Sequence, residues 1–325
     1  MMASGEFGLI QRHFSQIGAK RADLLLGIGD DCALLQTAPG NALAVTTDTL
    51  VAGVHFLAND APQAIAHKAV AVNLSDLAAM GADPAWISLA LTLPEANSDW
   101  LSQFSHGLDE ILRYYNVALV GGDTTRGPLA ISITAHGWVP AERALRRSNA
   151  KSGDRIYVSG RLGEAAAGLA IMLGHYNPPS PWREPLLQHL HYPTPRLALG
   201  RELRGLASAA IDISDGLLAD LGHILQASAV SAVLAVERLP LPQLPGEQLE
   251  QARHWALSGG DDYELCFCVP PAQCGQVEAV GRRLGVPLNC IGEIRPAAAD
   301  TVRLLLDGQP FTLPPQAGYN HFQDI

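Results

Sequence analysis

Basic residues are scarce in this sequence. Its 325 residues include 22 Lys and Arg against 32 Asp and Glu, which gives a formal net charge of −10 at pH 7. No run of basic residues occurs, whereas a surface that binds nucleic acid needs one to neutralise the phosphates. The charge balance therefore argues against a nucleic-acid partner. An acidic chain is better suited to collecting divalent cations.

Long apolar stretches and paired cysteines are also missing. The most apolar long segment, 64–82, is interrupted by His67, Lys68, Asn73 and Asp76, which excludes a membrane-spanning helix. The five cysteines show no Cys-x-x-Cys spacing, and the N-terminal residues lack the basic and apolar regions of a signal peptide. We therefore expect a cytoplasmic protein with reduced thiols and no membrane partner.

The common nucleotide-binding and metal-binding loops do not occur. No Gly-x-x-x-x-Gly-Lys-Ser/Thr loop is present, and Gly27-x-Gly29 lacks the third glycine of a dinucleotide fingerprint. The sequence also has neither the Asp-x-Asp-x-Asp-Gly calcium loop nor a zinc spacing of histidines. A nucleotide would have to be bound through metal ions and the backbone at Gly121-Gly122, with help from one arginine. The candidate arginines are Arg143, Arg146 and Arg147.

Carboxylates recur where apolar runs end. The stretch 209–213 predicts a strand and 217–225 predicts a helix, so Asp212 and Asp215 should project at a strand-to-helix junction. The alternative interpretation is that Ser214 or Asp215 only caps the helix. Predicted strands over 42–46 and 117–120 end in the same way. The carboxylates after all these runs are Asp30, Asp31, Asp48, Asp123, Asp212, Asp215, Asp261 and Asp262.

Asp76 is a carboxylate of another kind, because it lies among apolar residues inside the helix predicted from Pro62 to about Met80. A buried charge is costly unless it is paired, and few basic residues are near. Several carboxylates within roughly 4–6 Å repel one another by several kcal/mol per close pair, so such a cluster needs cations. Oxygen-only ligands favour Mg²⁺, whose coordination is usually completed by substrate phosphates. The pattern therefore predicts nucleotide chemistry that depends on magnesium.

Strands and helices alternate through both halves of the chain, which predicts two mixed α/β domains. We place the first domain at residues 1–140, a junction at 141–154, and the second domain at 155–325. A helix is predicted over 6–17, a proline-rich loop around 178–185, and a helix over 195–206.

Seven motifs occur in one order and together resemble the thiamine-monophosphate kinase family. That family is part of the ATP-binding superfamily that includes aminoimidazole ribonucleotide synthetase and selenophosphate synthetase. The resemblance runs over nearly the full length. The motifs lie at residues 27–31, 46–48, 53–56, 73–81, 121–125, 212–216 and 258–264.

The resemblance implies a fold, a reaction and partners. It implies a homodimer formed through the sheet of the N-terminal domain, and a C-terminal α/β domain that closes the active-site cleft. The implied reaction converts ATP and thiamine monophosphate to ADP and thiamine diphosphate, with several Mg²⁺ ions. Because the attacking phosphate oxygen is already ionised, direct in-line transfer needs no general base.

The resemblance also implies roles for single residues. Nucleotide contacts would be Gly122, Asp123, Arg147 and Ser214, and substrate contacts would be His55, Asp261 and Tyr319. The family commonly has Glu where this chain has Asp261, and some relatives have Trp where it has Tyr319. Asp48, Asp123 and Asp212 would be the catalytic residues. The implied metal ligands are Asp31, Thr46, Thr47, Asp48, Asp76, Asp123, Asp212 and Asp215.

Two alternatives remain at this point. The same scaffold could serve as a sibling synthetase, such as an aminoimidazole ribonucleotide or selenophosphate synthetase. The second of these would need a reactive cysteine in a glycine-rich segment, whereas Cys32 directly follows Asp31 inside a metal motif. A non-catalytic module that senses nucleotide or Mg²⁺ would keep the carboxylates but show no turnover.

Overall fold

The chain divides into two compact units in the computed structural model, which describes residues 6–28, 32–36, 39–245 and 248–312. The first unit comprises Met1–Leu77 and Ala82–Glu142, and the second comprises Ala78–Gly81 and Arg143–Ile325. The short segment Ala78–Gly81 thus belongs to the second unit. Among the described residues, no helix is both long enough and apolar enough to cross a membrane.

The first unit contains a four-stranded sheet in the order β3-β6-β4-β5, in which only β4 and β5 run parallel. A separate two-stranded sheet pairs β1 with β2. The helices and strands are α1 (Glu6–His13), β1 (Leu24–Leu26), β2 (Leu34–Leu35), β3 (Asn41–Val51), α2 (Pro62–Ala79), β4 (Asp83–Leu93), α3 (Ser98–Tyr114), β5 (Ala118–Arg126) and β6 (Ala130–Pro140).

Local sequence explains the helices of this unit. The side chain of Asn97 accepts hydrogen bonds from the backbone N–H groups of Asp99 and Trp100, which satisfies two donors at the start of α3. Helix α3 then buries one stripe, which includes Leu101 and Leu108, as expected of a helix on a surface. Helix α2 is apolar on nearly all sides and is almost entirely buried.

Two of the predicted strand ends in this unit are wrong. Strand β3 pairs with β6 at all its positions from Asn41 to Val51, so Thr46–Asp48 lies inside the strand and does not follow it. Strand β5 likewise continues to Arg126, through the Gly-Gly-Asp-Thr-Thr motif. Pairing with neighbouring strands extends both strands, and a local pattern of apolar residues cannot show that pairing.

The second unit is built on a seven-stranded mixed sheet in the order β13-β12-β9-β11-β7-β10-β8. All neighbours are antiparallel except β12 and β9. Its helices and strands are β7 (Arg155–Ser159), α4 (Glu164–Met172), α5 (Ser180–His191), α6 (Leu197–Glu202), β8 (Ala209–Asp212), α7 (Leu217–Ser228), β9 (Val230–Ala235), α8 (Leu249–Ser258), β10 (Leu265–Val269), α9 (Cys274–Leu284), β11 (Leu288–Pro296), β12 (Val302–Leu306) and β13 (Gln309–Pro310).

The helices differ from the prediction in several places. The proline-rich stretch contains helix α5, because Pro181 lies in its first turn, where a missing N–H costs nothing. Pro185, farther inside, removes one hydrogen bond. Helix α6 is shorter than predicted, and α1 ends at His13. Each half remains a mixture of helices and strands, as predicted.

The directions of the strands bring three segments together at one end of the strands of this sheet. Strands β7 and β8 end at Ser159 and Asp212, and β10, which runs antiparallel to both, begins at Leu265. Leu265 lies opposite Asp212 in the register. The segments after β7 and after β8 therefore meet the segment before β10 at this end of the strands. The candidate site of the second unit lies there.

Candidate functional site

In the first unit, the structure places two predicted metal ligands of strand β3 beside a third one on helix α2. Thr46 and Asp48 are two residues apart on β3 and so lie on one face of the strand, the half-buried one. The hydroxyl of Thr46 donates a hydrogen bond to the Asp76 carboxylate of α2. Burial and, to a smaller extent, the negative charge of Asp76 raise the pKa of Asp48 to about 6. Two carboxylates are thus held close enough to repel.

The raised pKa of Asp48 predicts a pH-dependent instability of the metal-free protein. Because the folded protein holds the Asp48 proton more tightly than the unfolded chain does, this carboxyl contributes to the stability of the folded state. The contribution is fully present below the ordinary pKa of 3.8 and is lost as the pH rises through about 6. Asp48→Asn removes the charge, so its advantage in melting temperature over the wild type should grow from pH 4 to pH 7 in EDTA. Calorimetry measures this difference. The exposed Asp300→Asn is the control, and an advantage of Asp48→Asn that does not change with pH would contradict the prediction.

Of the other predicted ligands that the structure describes in this unit, neither Thr47 nor Asp123 joins Asp48 and Asp76. Thr47 lies on the opposite face of β3, where its hydroxyl is 2.8 Å from that of Thr134. Asp123 lies on β5, opposite Ala90, and is exposed. Since β3 and β5 are the two edges of the sheet, three strand spacings separate them, about 14 Å.

Gly122, a predicted nucleotide contact, is required by the sheet itself. Its φ is +150°, and a Cβ atom there would lie 1.8 Å from the carbonyl oxygen of Leu89 on β4. No side chain fits in that space. The glycine therefore lets the backbones of β4 and β5 approach closely, whatever ligand the strand contacts.

His55 is held by two contacts from its own unit. Its Nδ1 accepts a hydrogen bond from the backbone N–H of Val51 at 3.0 Å, so a neutral ring carries its proton on Nε2. The ammonium of Lys68, a buried residue, donates to the carbonyl oxygen of His55 at 3.1 Å. These contacts fix the turn after β3 and leave Nε2 as the donor of the ring.

In the second unit, the predicted strand-to-helix junction is present. Strand β8 ends at the buried Asp212, and α7 begins at Leu217. Neither Ser214 nor Asp215 caps α7: the N-cap residue is Gly216, with φ +111° and no side-chain cap bond. A Cβ atom at Gly216 would lie 2.8 Å from the backbone carbon of Ser258, so the turn needs glycine.

The second carboxylate motif of this unit lies directly against the first. The backbone N–H of Asp261 donates to Ser214 O at 2.9 Å, and that of Tyr263 donates to Ile213 O at 2.8 Å. Asp261 and Tyr263 have φ of 68° and 50°, a region that residues other than glycine seldom adopt and that often marks functional sites. The Tyr263 hydroxyl donates to Asp261 Oδ1 at 3.0 Å. The structure thus joins Ser214 and Asp261, which the resemblance assigned to different substrates.

Two further carboxylates of the motif hold the loop in place. Glu264 is buried and accepts two hydrogen bonds from the guanidinium of Arg196, one of them at 2.7 Å, and a third from the Ser159 hydroxyl. Asp262 accepts the backbone N–H groups of Gly163 at 2.6 Å and Ala165 at 3.3 Å at the start of α4. Burial raises the pKa of Asp262 well above its usual range.

Several predicted residues stay untested predictions. Asp30, Asp31 and Tyr319 lie outside the described residues. The described part of the chain contains no group of three or more His, Cys, Asp or Glu side chains placed to hold a metal. Arg147 is exposed, and its carbonyl oxygen accepts a hydrogen bond from Ser228 at the far end of α7, about 18 Å from the start of that helix.

Sequence reasoning missed the residues that support the candidate site. Asp220, Glu264 and Arg196 were not singled out. A usable signal existed for Asp220, which stands among apolar residues in the run Leu-Leu-Ala-Asp-Leu, the same feature that drew attention to Asp76. No local signal marks Arg196, because its partner Glu264 is 68 residues away in the chain.

Two family models match the chain. The model described as AIR synthase related protein, N-terminal domain, matches residues 29–139, and that described as AIR synthase related protein, C-terminal domain, matches residues 151–304. The chain is 50% identical to the thiamine-monophosphate kinase of Salmonella typhimurium and 50% identical to that of Escherichia coli K12. Each match covers 99% of this chain and 99% of the relative.

Solved structures are similar over the same length. A thiamine-monophosphate kinase from Stenotrophomonas maltophilia K279a has a TM-score of 0.82 and 48% identity, covering 90% of this chain and 93% of that one. AaThiL complexed with AMPPCP and TMP has a TM-score of 0.75 and 30% identity, covering 98% and 97%. The hydrogenase maturation protein HypE of Escherichia coli, with a TM-score of 0.75 at 22% identity over 95% of each chain, shares the fold.

Proposed function

The chain belongs to the thiamine-monophosphate kinase family, and we propose that it transfers the γ-phosphoryl group of ATP to thiamine monophosphate. The products would be ADP and thiamine diphosphate, so the enzyme is a phosphotransferase with a phosphate group as acceptor. The observation that carries the proposal is 50% identity to two such kinases over 99% of both chains. The relative AaThiL complexed with AMPPCP and TMP supports the same pair of substrates.

The donor atoms fit magnesium as the metal of this reaction. The first unit offers the Asp48 and Asp76 carboxylates with the Thr46 hydroxyl, and burial together with mutual repulsion makes that pair of carboxylates costly without a cation. The second unit offers Asp212 and Asp215. Hard oxygen donors of this kind suit Mg²⁺. When bound, Mg²⁺ would offset the repulsion between the two phosphate-bearing substrates and the charge of the transferring group.

We propose the following roles for the remaining residues. His55 donates from Nε2 to the phosphate of thiamine monophosphate, because Val51 occupies its Nδ1. Asp261, held by Tyr263, contacts the same substrate, and Ser214 contacts ATP. Gly122 and Arg147 contact ATP, and Tyr319 contacts thiamine. Because Thr47 and Asp123 lie apart from Asp48 and Asp76, the proposed metal ligands serve several Mg²⁺ ions. These ligands are Asp31, Thr46, Thr47, Asp48, Asp76, Asp123, Asp212 and Asp215.

The chemistry of the acceptor supports our proposal of direct transfer. A phosphate oxygen is ionised at neutral pH, so no side chain has to remove a proton and no covalent phosphoenzyme is needed. The residues of the chain act by binding and orienting the two substrates.

A homodimer through the sheet of the first unit is part of the proposal. Leu43 and Val45 are 47% and 56% exposed, on the face of β3 opposite to Thr46 and Asp48. Exposed apolar side chains beside each other on a sheet face often mark a contact with another protein. Sedimentation as a single 34.5 kDa chain would contradict this part.

The assay that tests the function measures ADP and thiamine diphosphate formed from ATP and thiamine monophosphate, with unphosphorylated thiamine as the control acceptor. We expect one ADP for each thiamine diphosphate, no release of inorganic phosphate, and no product with thiamine. Release of phosphate would favour a synthetase, and no turnover would favour a sensor. Rapid quench with γ-labelled ATP should trap no label on the protein before the acceptor is added.

A further inference from the structure

Asp220 is a buried carboxylate that binds the backbone of the loop between β8 and α7. It is 3% exposed. Its Oδ2 accepts hydrogen bonds from the N–H of Ser214 at 3.0 Å and from the N–H of Asp215 at 3.1 Å. Its own N–H donates to Gly216 O at 3.0 Å, in the first turn of α7. One side chain therefore ties the loop to the helix that follows it.

The backbone N–H groups that donate to Asp220 are of a type that binds phosphate in other proteins. Successive backbone N–H groups that converge form a concavity that holds an anion, and phosphate-binding loops use this arrangement. In this loop an internal carboxylate holds the N–H groups of Ser214 and Asp215. A phosphate cannot bind them while Asp220 does. The side chains that the loop adds are the carboxylates of Asp212 and Asp215 and the Ser214 hydroxyl, which attract cations.

We propose that Asp220 is a positioning residue that converts this loop from a phosphate-binding turn into a cation-binding one. By holding the amides of residues 214 and 215, it sets the backbone from which Asp212 and Asp215 project. ATP phosphates would then meet the backbone of this loop only through divalent ions. The inference rests on the proposed function for the identity of the nucleotide, and on the geometry alone for the binding of cations.

The test uses Mn²⁺ as a paramagnetic probe, titrated into the full chain without ATP and followed by electron paramagnetic resonance. Loss of a partner that orients metal ligands costs about 10–100-fold in metal affinity. Asp220→Asn replaces the charged acceptor of the Ser214 and Asp215 N–H groups by a neutral and weaker one, and we expect it to weaken Mn²⁺ binding about tenfold. We expect Asp220→Glu, which keeps the charge but moves the carboxylate by one methylene, to weaken it at least about threefold.

The control variant is Asp154→Asn. Asp154 is also buried, and it also accepts two hydrogen bonds, from Lys151 N–H at 2.9 Å and from the Ser208 hydroxyl at 2.5 Å. Asp154 directly precedes β7, whereas Ser159 is the last residue of that strand. Asp154 therefore lies at the opposite end of β7 from the candidate site, about 17 Å away. Its substitution should lower the melting temperature and leave Mn²⁺ affinity within about twofold of the wild type.

Each outcome decides the proposal. It is overturned if Asp220→Asn changes Mn²⁺ affinity no more than Asp154→Asn does, or if the wild type binds no Mn²⁺. Wild-type affinity in Asp220→Glu would also overturn it, because charge alone would then explain the effect of Asp220→Asn. If Asp220→Asn does not fold, Asp220→Glu decides. The titration contains no ATP, so it stands even where the kinase assay fails, and a failure here leaves that assay untouched.

Discussion

Asp212→Asn is expected to lower kcat for thiamine diphosphate formation by about a thousandfold. A ligand carboxylate helps the metal stabilise charge in the transition state by several kcal/mol, and each 1.36 kcal/mol is a factor of about ten in rate. Asp212 is buried at the end of β8, and asparagine keeps its volume while removing the charge. The measurement is steady-state turnover at saturating substrates over a range of Mg²⁺ concentrations.

The matched control for this variant is again Asp154→Asn. Asp154 is also a buried aspartate, and it lies at the opposite end of the strands of the same sheet. Both variants should keep the circular-dichroism spectrum of the wild type, whereas only Asp212→Asn should lose turnover. Turnover within tenfold of the wild type at millimolar Mg²⁺ would remove Asp212 from the set of metal ligands.

Arg196→Met is expected to lower the free energy of unfolding by about 3–5 kcal/mol. The substitution leaves the Glu264 carboxylate buried without its cationic partner, and an unpaired buried charge is costly to this extent. The Arg196 and Glu264 side chains are 20% and 7% exposed, so water compensates little of the loss. Denaturant unfolding measures the change, and because Glu264 supports the Asp261 loop, the KM for thiamine monophosphate should rise as well.

Arg283→Met provides the matched control. Arg283 pairs with Glu202 at 2.8 Å through two hydrogen bonds, as Arg196 does with Glu264, but the two side chains are 57% and 39% exposed. Exposed ion pairs contribute about 0–1 kcal/mol, so little stability should be lost. A second variant, Arg196→Met with Glu264→Gln, removes the stranded charge and should recover part of the loss. Equal effects of Arg196→Met and Arg283→Met would falsify the burial argument.

The strand-to-helix junction after Asp212 could be predicted because its signals are local. An apolar alternation, a glycine and a helical spacing lie within residues 209–225, and the structure ends β8 and begins α7 there. The ends predicted for the strands at 46 and 120 were wrong, because β3 and β5 are extended by strands that pair with them from elsewhere in the chain. Polar residues inside a strand look like the end of that strand until the partner strand is known.

In the proline-rich stretch, too, the local sequence predicted the wrong structure, a loop where the protein has a helix. Four prolines within residues 178–185 predict a loop, yet α5 runs from Ser180 to His191. Leu186 and Leu190 of α5 are buried, and Leu186 packs with Ala167 and Ile171 of α4. This packing stabilises a helix that tolerates one internal proline. Tertiary contacts thus outweigh a local preference of a few kcal/mol.

The sequence by itself determined the chemical class of this protein, because that class depends on which residue types follow one another in short motifs. Carboxylates, hydroxyls and glycines in a fixed order predicted cations and phosphates, and the same order carried the resemblance to a kinase family. Only the tertiary structure decided which groups the described carboxylates contact. Thr46 meets Asp76 across 30 residues of chain, and Ser159 meets Glu264 across 105. Burial, the raised pKa of Asp48 and the filling of the loop amides by Asp220 all arise from such distant neighbours, and a linear pattern does not contain them.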